Sequence, residues 1–396
     1  MLNEMKKVAV ISSILVLLCL TLNGQWQQTS LNQGIINCLL ASGSNVYAGK
    51  TDSFYSSGYL FKSNNNGETW SQLFSSLCYI SSLTQSDTNI YMGTNGCGIY
   101  SSNDNGITWS SIPSAPLNVL SLAADGSNIY AGTDGDGLVF SLDMGSSWNP
   151  ANVNMYTVLS LLINGINVYS GTHLVGLFLS DNNGATWNSI GLTDKDITCM
   201  AANETYLFAG TGDTIFRSDD LGVSWFPVLG FSDYYYQNSL AINGSNVFAG
   251  IEGNGFSVSQ DFGMNWVSAN EGLTTMNVLS IALTDSLVFI GTDNGVWKRP
   301  IDELLVGIDK RIVHDPLVTI FPNPVINSPE IRFNFRSKFE TGELYLYDSF
   351  GRQIMHLRNI SGNYLFIKNS HLSRGTLFYK FVQDNRIIGV GKIVIE

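Results

Sequence analysis

Apolar residues in this chain fall in short runs that end in glycine and are bounded by polar turns. Seven runs share one form: Asn45-Val-Tyr-Ala-Gly49, Asn89-Ile-Tyr-Met-Gly93, Asn128-Ile-Tyr-Ala-Gly132, Asn167-Val-Tyr-Ser-Gly171, Tyr206-Leu-Phe-Ala-Gly210, Asn246-Val-Phe-Ala-Gly250 and Leu287-Val-Phe-Ile-Gly291. Runs this short, rich in Val, Ile, Tyr and Phe, predict strands rather than helices. They recur about every 39 residues, a period that marks a repeat architecture built from one supersecondary unit.

The other half of each unit is a polar turn that runs into tryptophan. Six copies are present, from Ser63 to Trp70, Ser102 to Trp109, Ser141 to Trp148, Ser180 to Trp187, Ser218 to Trp225 and Ser259 to Trp266. The strand has seven copies and the turn six. The seventh unit stops at Trp297-Lys-Arg-Pro300, and a spare tryptophan stands at the other end, in Gln25-Trp26-Gln27. A ring of four-stranded blades leaves no free outer edge around its circuit. The mismatch therefore predicts a seven-bladed β-propeller in which the strand at Trp26 completes the last blade.

The turn resembles the Asp-box, or BNR repeat, of sialidases, sortilin-type receptors, xyloglucanases and the photosystem II assembly factor family, over about residues 25–299. The roles implied are structural. Asp104, Asp143, Asp220 and Asp261 bond backbone N–H groups of the turn, with Asn65 and Asn182 serving in the other two copies. Glycine reaches backbone angles closed to other residues. Trp70, Trp109, Trp148, Trp187, Trp225 and Trp266 are expected to pack beside the next blade.

Charge narrows the partners. Only 13% of residues are charged, and the net charge is −12. An acidic chain gains nothing from phosphate contacts, so nucleic acid is not expected as a partner. Residues 1–24 read as a signal peptide: Lys6 and Lys7 precede an apolar run from Val8 to Leu22, short for a bilayer span. Leu17 and Leu18 are bulky where lipidation at Cys19 would need small residues. No later segment is long and apolar enough to cross a membrane, so no transmembrane segment is expected after cleavage.

Cys38 and Cys199 stand eleven residues before a repeat glycine, where other units carry Ser82, Ser121, Ser160, Ser239 and Ser280. They read as small buried residues on the innermost strand. Cys-x-x-Cys and Cys/His spacings for zinc are missing, and no metal site is expected. Cys78 and Cys97 fall in two loops that a four-stranded meander brings out on one face, and an exported chain permits a disulfide between them.

In such a blade the between-blade connectors and the second-to-third-strand loops share a face opposite the Asp-boxes. Their sequences vary, as binding loops do. The acids there include Asp52, Asp134, Asp136, Asp194, Asp196, Asp213, Asp233, Glu252, Glu271 and Asp293. Phe54, Tyr55, Tyr156, His173 and Tyr234-Tyr235-Tyr236 accompany them, with Lys50 and Lys195 as almost the only cations. The candidate ligand-binding set is Asp134, Asp136, Tyr156, His173, Asp194, Asp213, Tyr234, Tyr235, Tyr236, Glu252 and Asp293. Aromatic rings beside carboxylates suit a glycan, a basic protein partner, or a hard cation such as calcium. No cofactor is required by any motif. Sialidase chemistry needs an arginine triad, and Arg217 and Arg299 are the only arginines in this region. A hydrolase of xyloglucanase-like type remains the alternative, since it needs only a carboxylate pair across a cleft.

After Pro300 the pattern changes. A mixed connector, 301–315, leads to 316–396, which holds Pro322-Asn-Pro324, Tyr347-Asp-x-x-Gly-Arg352 and a terminal Gly391-Lys-Ile-Val run. Alternation over Ile331 to Phe335 and Leu344 to Tyr347 predicts half-buried strands of a small immunoglobulin-like β-sandwich, about seven strands in all. These blocks resemble the type IX secretion (Por system) sorting domain of Bacteroidetes. The resemblance implies translocation through the type IX machinery, and a secreted or outer-membrane-surface location reached through the periplasm. Residues 25–300 then form an exported propeller that binds a glycan or protein.

Overall fold

The computed structural model describes residues 24–52, 57–151, 157–231, 238–305, 318–321, 325, 330–348, 352–383 and 386–395. The stretch read as a signal peptide, up to residue 23, lies outside them. So do Phe54, Tyr55, Tyr156, Asp233, Tyr234, Tyr235 and Tyr236. The chain divides into two compact units, 1–310 and 311–396.

The first unit is a ring of seven four-stranded antiparallel sheets. Blade 1 runs Ile35–Ser42, Asn45–Thr51, Gly58–Ser63 and Ser71–Ser76, innermost to outermost. Blades 2 to 6 repeat this order over 80–111, 119–150, 158–189, 199–230 and 238–268. Blade 7 takes Val278–Leu283, Leu287–Thr292 and Gly295–Pro300 from the end of the unit and its outer strand, Gln27–Gln28, from the beginning. Gln27 pairs with Lys298 and Gln28 with Trp297. The innermost strands of blades 1 and 7 adjoin each other, so the circle is closed.

The repeat glycine is explained at this inner ring. Each one lies opposite the Ser or Cys of the first strand: Cys38 with Gly49, Ser121 with Gly132, Ser160 with Gly171, Ser280 with Gly291. A Cβ on Gly171 would lie 2.4 Å from the Ser160 hydroxyl and 2.7 Å from Ile197, just before the first strand of blade 5. The hydroxyl in turn donates to the next blade: Ser160 Oγ to the Ile197 carbonyl at 2.7 Å, Ser280 Oγ to the Ile36 carbonyl at 3.2 Å. Small residues on both strands let neighbouring blades meet backbone to backbone. Cys38 and Cys199 fill two of these places. Both are buried, and burial pushes their thiols up to about 12, which keeps them protonated and inert.

All six Asp-box turns share one hydrogen-bond pattern. In the third, the Gly145 N–H donates to Ser141 Oγ (2.7 Å), Ser141 donates to Asp143 Oδ1 (2.7 Å), and Asp143 Oδ1 accepts from Ser147 N (2.8 Å). Asn65 and Asn182 accept the equivalent bonds, from Thr69 N and Thr186 N. The glycine has φ +88° here, and the residue before it, Met144, also has positive φ (58°).

The tryptophans pack against the preceding blade, not the following one. Trp70 of blade 1 reaches back to Thr29 beside blade 7, its indole N–H donating to Thr29 Oγ1 at 3.1 Å. Trp187 of blade 4 is buried with Tyr130, Leu138 and Phe140 of blade 3. Trp225 of blade 5 donates to the Ile190 carbonyl that follows blade 4. The box turn sends the chain to the outer edge of its own sheet, and the inward face there opens on the previous sheet's second and third strands.

The connector begins in regular structure. Ile301–Leu304 forms one helical turn whose Ile301 and Leu304 are buried in the same cluster as Trp26 and Trp297. The Ile301 N–H donates to the Ser286 carbonyl of blade 7.

The second unit forms a sandwich-like sheet with five described strands: Val318–Phe321, Glu330–Tyr347, Gln353–Lys368, Gly375–Gln383 and Arg386–Ile395. Two of them, of 18 and 16 residues, are longer than the short strands expected. Their register breaks between Asn334 and Leu344, so one strand bends and serves both layers. Its first half pairs with Val318–Phe321 and its second with Gly375–Gln383. Ile331, Phe333, Leu344, Leu346, Phe381 and Ile393 form the core between them.

Candidate functional site

The face opposite the Asp-boxes is built by mutual docking of its loops. Among the described residues, loops that follow second strands lie against neighbouring connectors. Asn95 N donates to the Tyr79 carbonyl, Asp134 N to Asn118, His173 N to Thr157, and Gly295 N to Gly34. Isolated bridges join Asn95 to Asn118 and Asp134 to Thr157. Cys78 of the first connector is bonded to Cys97 of the blade 2 loop, with Cα atoms 5.8 Å apart. The disulfide fastens one such dock covalently.

Polar side chains on this face form an arc over blades 3, 4 and 5. Thr157 Oγ1 donates to Asp134 Oδ1 at 3.4 Å. His173 Nδ1 meets Asp196 Oδ1 at 2.7 Å, and the same oxygen accepts the Leu174 N–H at 2.9 Å. Lys195 Nζ lies 3.1 Å from Asp213 Oδ2, while Thr211 donates to Asp213 Oδ1 at 2.8 Å. Burial works to raise the Asp213 carboxyl, but the bonds from Thr211 and the Lys195 ammonium outweigh it and hold the group below its ordinary value. His173 is 53% exposed while Asp196 is 10% exposed. The carboxylate is thus the fixed part and the imidazole the solvent-facing part. Asp134 is exposed at one end of this arc, and Asp136 and Asp194 are exposed beside it.

The remaining candidates lie apart from it. Asp293 accepts from Thr275 Oγ1 and Asn277 Nδ2, both at 2.6 Å, across the blade 6 to blade 7 connector. Glu252 is half-buried on the blade 6 loop. Glu271 is exposed and also touches the frame: its carbonyl accepts the Trp26 N–H, and its carboxylate lies 3.3 Å from buried Arg299. Lys50 leans on the Phe61 ring at 5.7 Å. Sequence reasoning missed Thr157, Thr275 and Asn277, which orient the acids. Thr and Asn are ordinary turn residues, so their types carried no signal. Among the described residues, no three His, Cys, Asp or Glu side chains converge as a metal-ligand set.

The opposite face is less uniform than its shared turns suggest. The box positions free of the hydrogen-bond pattern carry exposed Ile107, Leu142, Met144, Val223 and Met264. A hollow between blades 2 and 3 is lined by Asn89, Tyr91, Ser101, Asn103, Thr108 and Met144.

In the second unit the Asp and Arg of the Tyr-Asp-x-x-Gly-Arg run are bonded to each other. Asp348 N donates to the Arg352 carbonyl, Arg352 N to Asp348 Oδ1 at 2.9 Å, and Arg352 Nε to Asp348 Oδ2 at 2.7 Å. Asp348 and Arg352 thus tie the end of one long strand to the start of the other.

Residues 319–396 match the family described as the secretion system C-terminal sorting domain. No curated protein matches the chain. Solved structures with similar folds include YCF48 from Cyanidioschyzon merolae, at 14% identity and TM-score 0.55, covering 70% of this chain and 99% of that one. PorZ, a surface component of the type IX secretion system of Porphyromonas gingivalis, is similar at 13% identity and TM-score 0.53, over 93% of this chain and 60% of that one. The extracellular domain of BT4673 from B. thetaiotaomicron is similar at 16% identity and TM-score 0.58, over 93% of this chain and 47% of that one. The chain spans less than two thirds of these last two. Identities this low establish the propeller fold. The sorting domain marks the chain for export to the cell surface or secretion. Among the described residues, no helix is long and apolar enough to cross a membrane.

Proposed function

We propose that the exported propeller is a binding module that takes a protein segment with basic side chains on its connector face. The observation that carries this reading is the arc from Asp134 through His173, Asp196 and Lys195 to Asp213. Its acidic side chains are oriented in advance by hydrogen bonds from Thr157, Leu174 and Thr211. Ordered acceptors at a solvent-facing rim cost little further entropy when a donor arrives. They also attract cationic partners from a distance. A solved complex of YCF48, a propeller of similar fold, is described as bound to D1 peptide, which supports a peptide as the ligand class. The export signal places the module where it would meet surface or extracellular molecules. A glycan is the rival ligand, favoured if the connector aromatics Tyr156 and Tyr234 to Tyr236 form the contact.

The test is a paired screen of the mature full chain on basic and acidic peptide arrays and on a glycan array, each at low and high salt. Binding to basic peptides that weakens with salt supports the reading. Salt-insensitive binding to glycans alone would replace it.

A further inference from the structure

The C-terminal unit inverts the charge of the chain. Residues 311–396 carry eleven Lys and Arg against seven Asp and Glu, net +4, in a chain of net −12. The remaining 310 residues therefore carry net −16.

Part of this positive charge stands on an aromatic surface. In the layer formed by the second half of Glu330–Tyr347 and by Gly375–Gln383, Leu344, Leu346, Leu377, Tyr379 and Phe381 are buried. The alternate positions Tyr345, Tyr347, Phe378 and Lys380 lie on the other face. Register sets His356, Tyr345 and Lys380 in one row across three strands, with Tyr347 opposite Phe378 in the next row. The His356 ring stacks on Tyr345 at 4.1 Å, and Lys380 Nζ lies 4.6 Å from the Tyr345 centroid and 6.0 Å from that of Tyr347. Glu343, two residues before Tyr345 on the same strand, is taken by the Tyr345 hydroxyl at 2.5 Å and His356 Nε2 at 2.9 Å. Lys380 is thus held by rings, and its charge is not neutralised by Glu343. Phe378 is 45% exposed beside it.

A solvated sheet face that serves only as surface needs neither exposed rings nor a lysine seated on them. Together these supply apolar area, a fixed cation and rigid side chains, the composition that dominates protein interfaces. We infer that the Tyr345, Tyr347, Phe378 and Lys380 face docks on a protein surface of the export machinery that presents carboxylates beside apolar side chains. The inference rests on the export reading of residues 319–396. The charge inversion favours the same partner: an acidic docking surface attracts this unit and repels the acidic propeller, so the tail is presented first.

The experiment follows the full chain in a host with type IX secretion, measuring the fraction at the surface or in the medium against the fraction retained in the periplasm. The variants are Lys380→Gln with Phe378→Ser, Lys380→Arg alone, Lys368→Gln as a distant control, and deletion of 319–396. Thermal unfolding of each purified full-length variant reads out folding. The double variant should lower the exported fraction about tenfold, the equivalent of about 1.4 kcal/mol of docking energy, with unchanged unfolding temperature. Lys380→Arg and Lys368→Gln should export as the parent does. Normal export of the double variant while the deletion is blocked overturns the docking face alone. Normal export of the deletion overturns the export reading and the inference with it. Should the double variant unfold at lower temperature, Lys380→Glu alone decides: undiminished export overturns the inference. Co-sedimentation of the parent with vesicles of phosphatidylethanolamine and phosphatidylglycerol, lost on Lys380→Gln, would assign the face to lipid and overturn it too.

Discussion

The indole N–H of Trp26 donates to the carbonyl oxygen of Ala269, 2.7 Å away across 243 residues of chain. Trp26 also stacks edge-on against Phe256, with ring centroids 4.8 Å apart, and is 3% exposed. The last blade is thereby tied to its neighbour by the first described turn of the chain. Trp26→Ala should lower unfolding free energy by about 3–5 kcal/mol, the usual range for a large aromatic removed from a core. Trp26→Phe keeps most of the area but not the donor and should cost about 1 kcal/mol more than its volume change alone. Urea unfolding followed by circular dichroism checks both. Equal, negligible losses would mean that the ring holds without this seam.

Much of that architecture was legible in the sequence because its geometry is repetitive. Seven glycine-ended strands against six box turns required a tryptophan from elsewhere, and Trp26 was the one available. The direction of tryptophan packing was not legible. A turn motif specifies its own bonds, whereas the side of the sheet on which Trp187 meets Tyr130 and Phe140 depends on the twist between blades. The same limit applies to the candidate site. Asp196 and His173 are 23 residues apart, and nothing in their spacing says that connector and loop will dock to bring them to 2.7 Å. Glu271 is exposed as a rim acid should be, but its pairing with buried Arg299 was not legible either, because the two are 28 residues apart.

Acid should loosen the Asp-box turns over a low window, between about pH 4 and pH 2. Asp104 and Asp143 accept from Thr108 and Ser147 and are held at about 2, below the ordinary aspartate value. A folded value below the unfolded one contributes stability that is fully present above about pH 4 and is lost as pH falls towards 2. Asn already serves in the first and fourth boxes, so Asp104→Asn with Asp143→Asn should fold normally at neutral pH. That double variant should show a shallower fall in unfolding midpoint between pH 4 and pH 2 than the parent. Parallel curves for the two proteins would show that these carboxylates do not carry the acid sensitivity.

The cysteines should separate into two chemical classes. The Cys78–Cys97 bond spans 19 residues, and a loop of about this length gains roughly 3 kcal/mol from closure. Cys78→Ser with Cys97→Ser should lose about that much and free the blade 2 loop to exchange its amide hydrogens faster. Cys38 and Cys199, buried and pushed up to about 12, should resist maleimide in the native protein and react only after unfolding. Mass spectrometry of labelled peptides distinguishes these outcomes. Rapid native labelling at Cys38 would show that the inner ring opens far more readily than its packing implies.

The connector face gives the sharpest prediction, because its parts can be altered one bond at a time. Asp196 fixes both His173 and the Leu174 backbone, so Asp196→Asn should disturb the arc without removing an exposed contact. Asp134→Asn with Asp136→Asn does the opposite, removing exposed charge while leaving the frame in place. For a basic peptide selected on the arrays, each change should weaken binding about tenfold, a loss of about 1.4 kcal/mol. Their salt dependence should differ. The Asp134 and Asp136 contribution acts through solvent and should vanish at high salt, where screening shortens the Debye length to about 3 Å at 1 M. The Asp196 contribution acts by orientation and should persist. For a glycan, Tyr235→Ala should be the damaging change, through loss of a stacking surface, and salt should matter little. Should Ile107, Met144 or Val223 prove to control binding while all of these leave it intact, the ligand lies on the Asp-box face, and the connector acids serve only to dock one loop on the next.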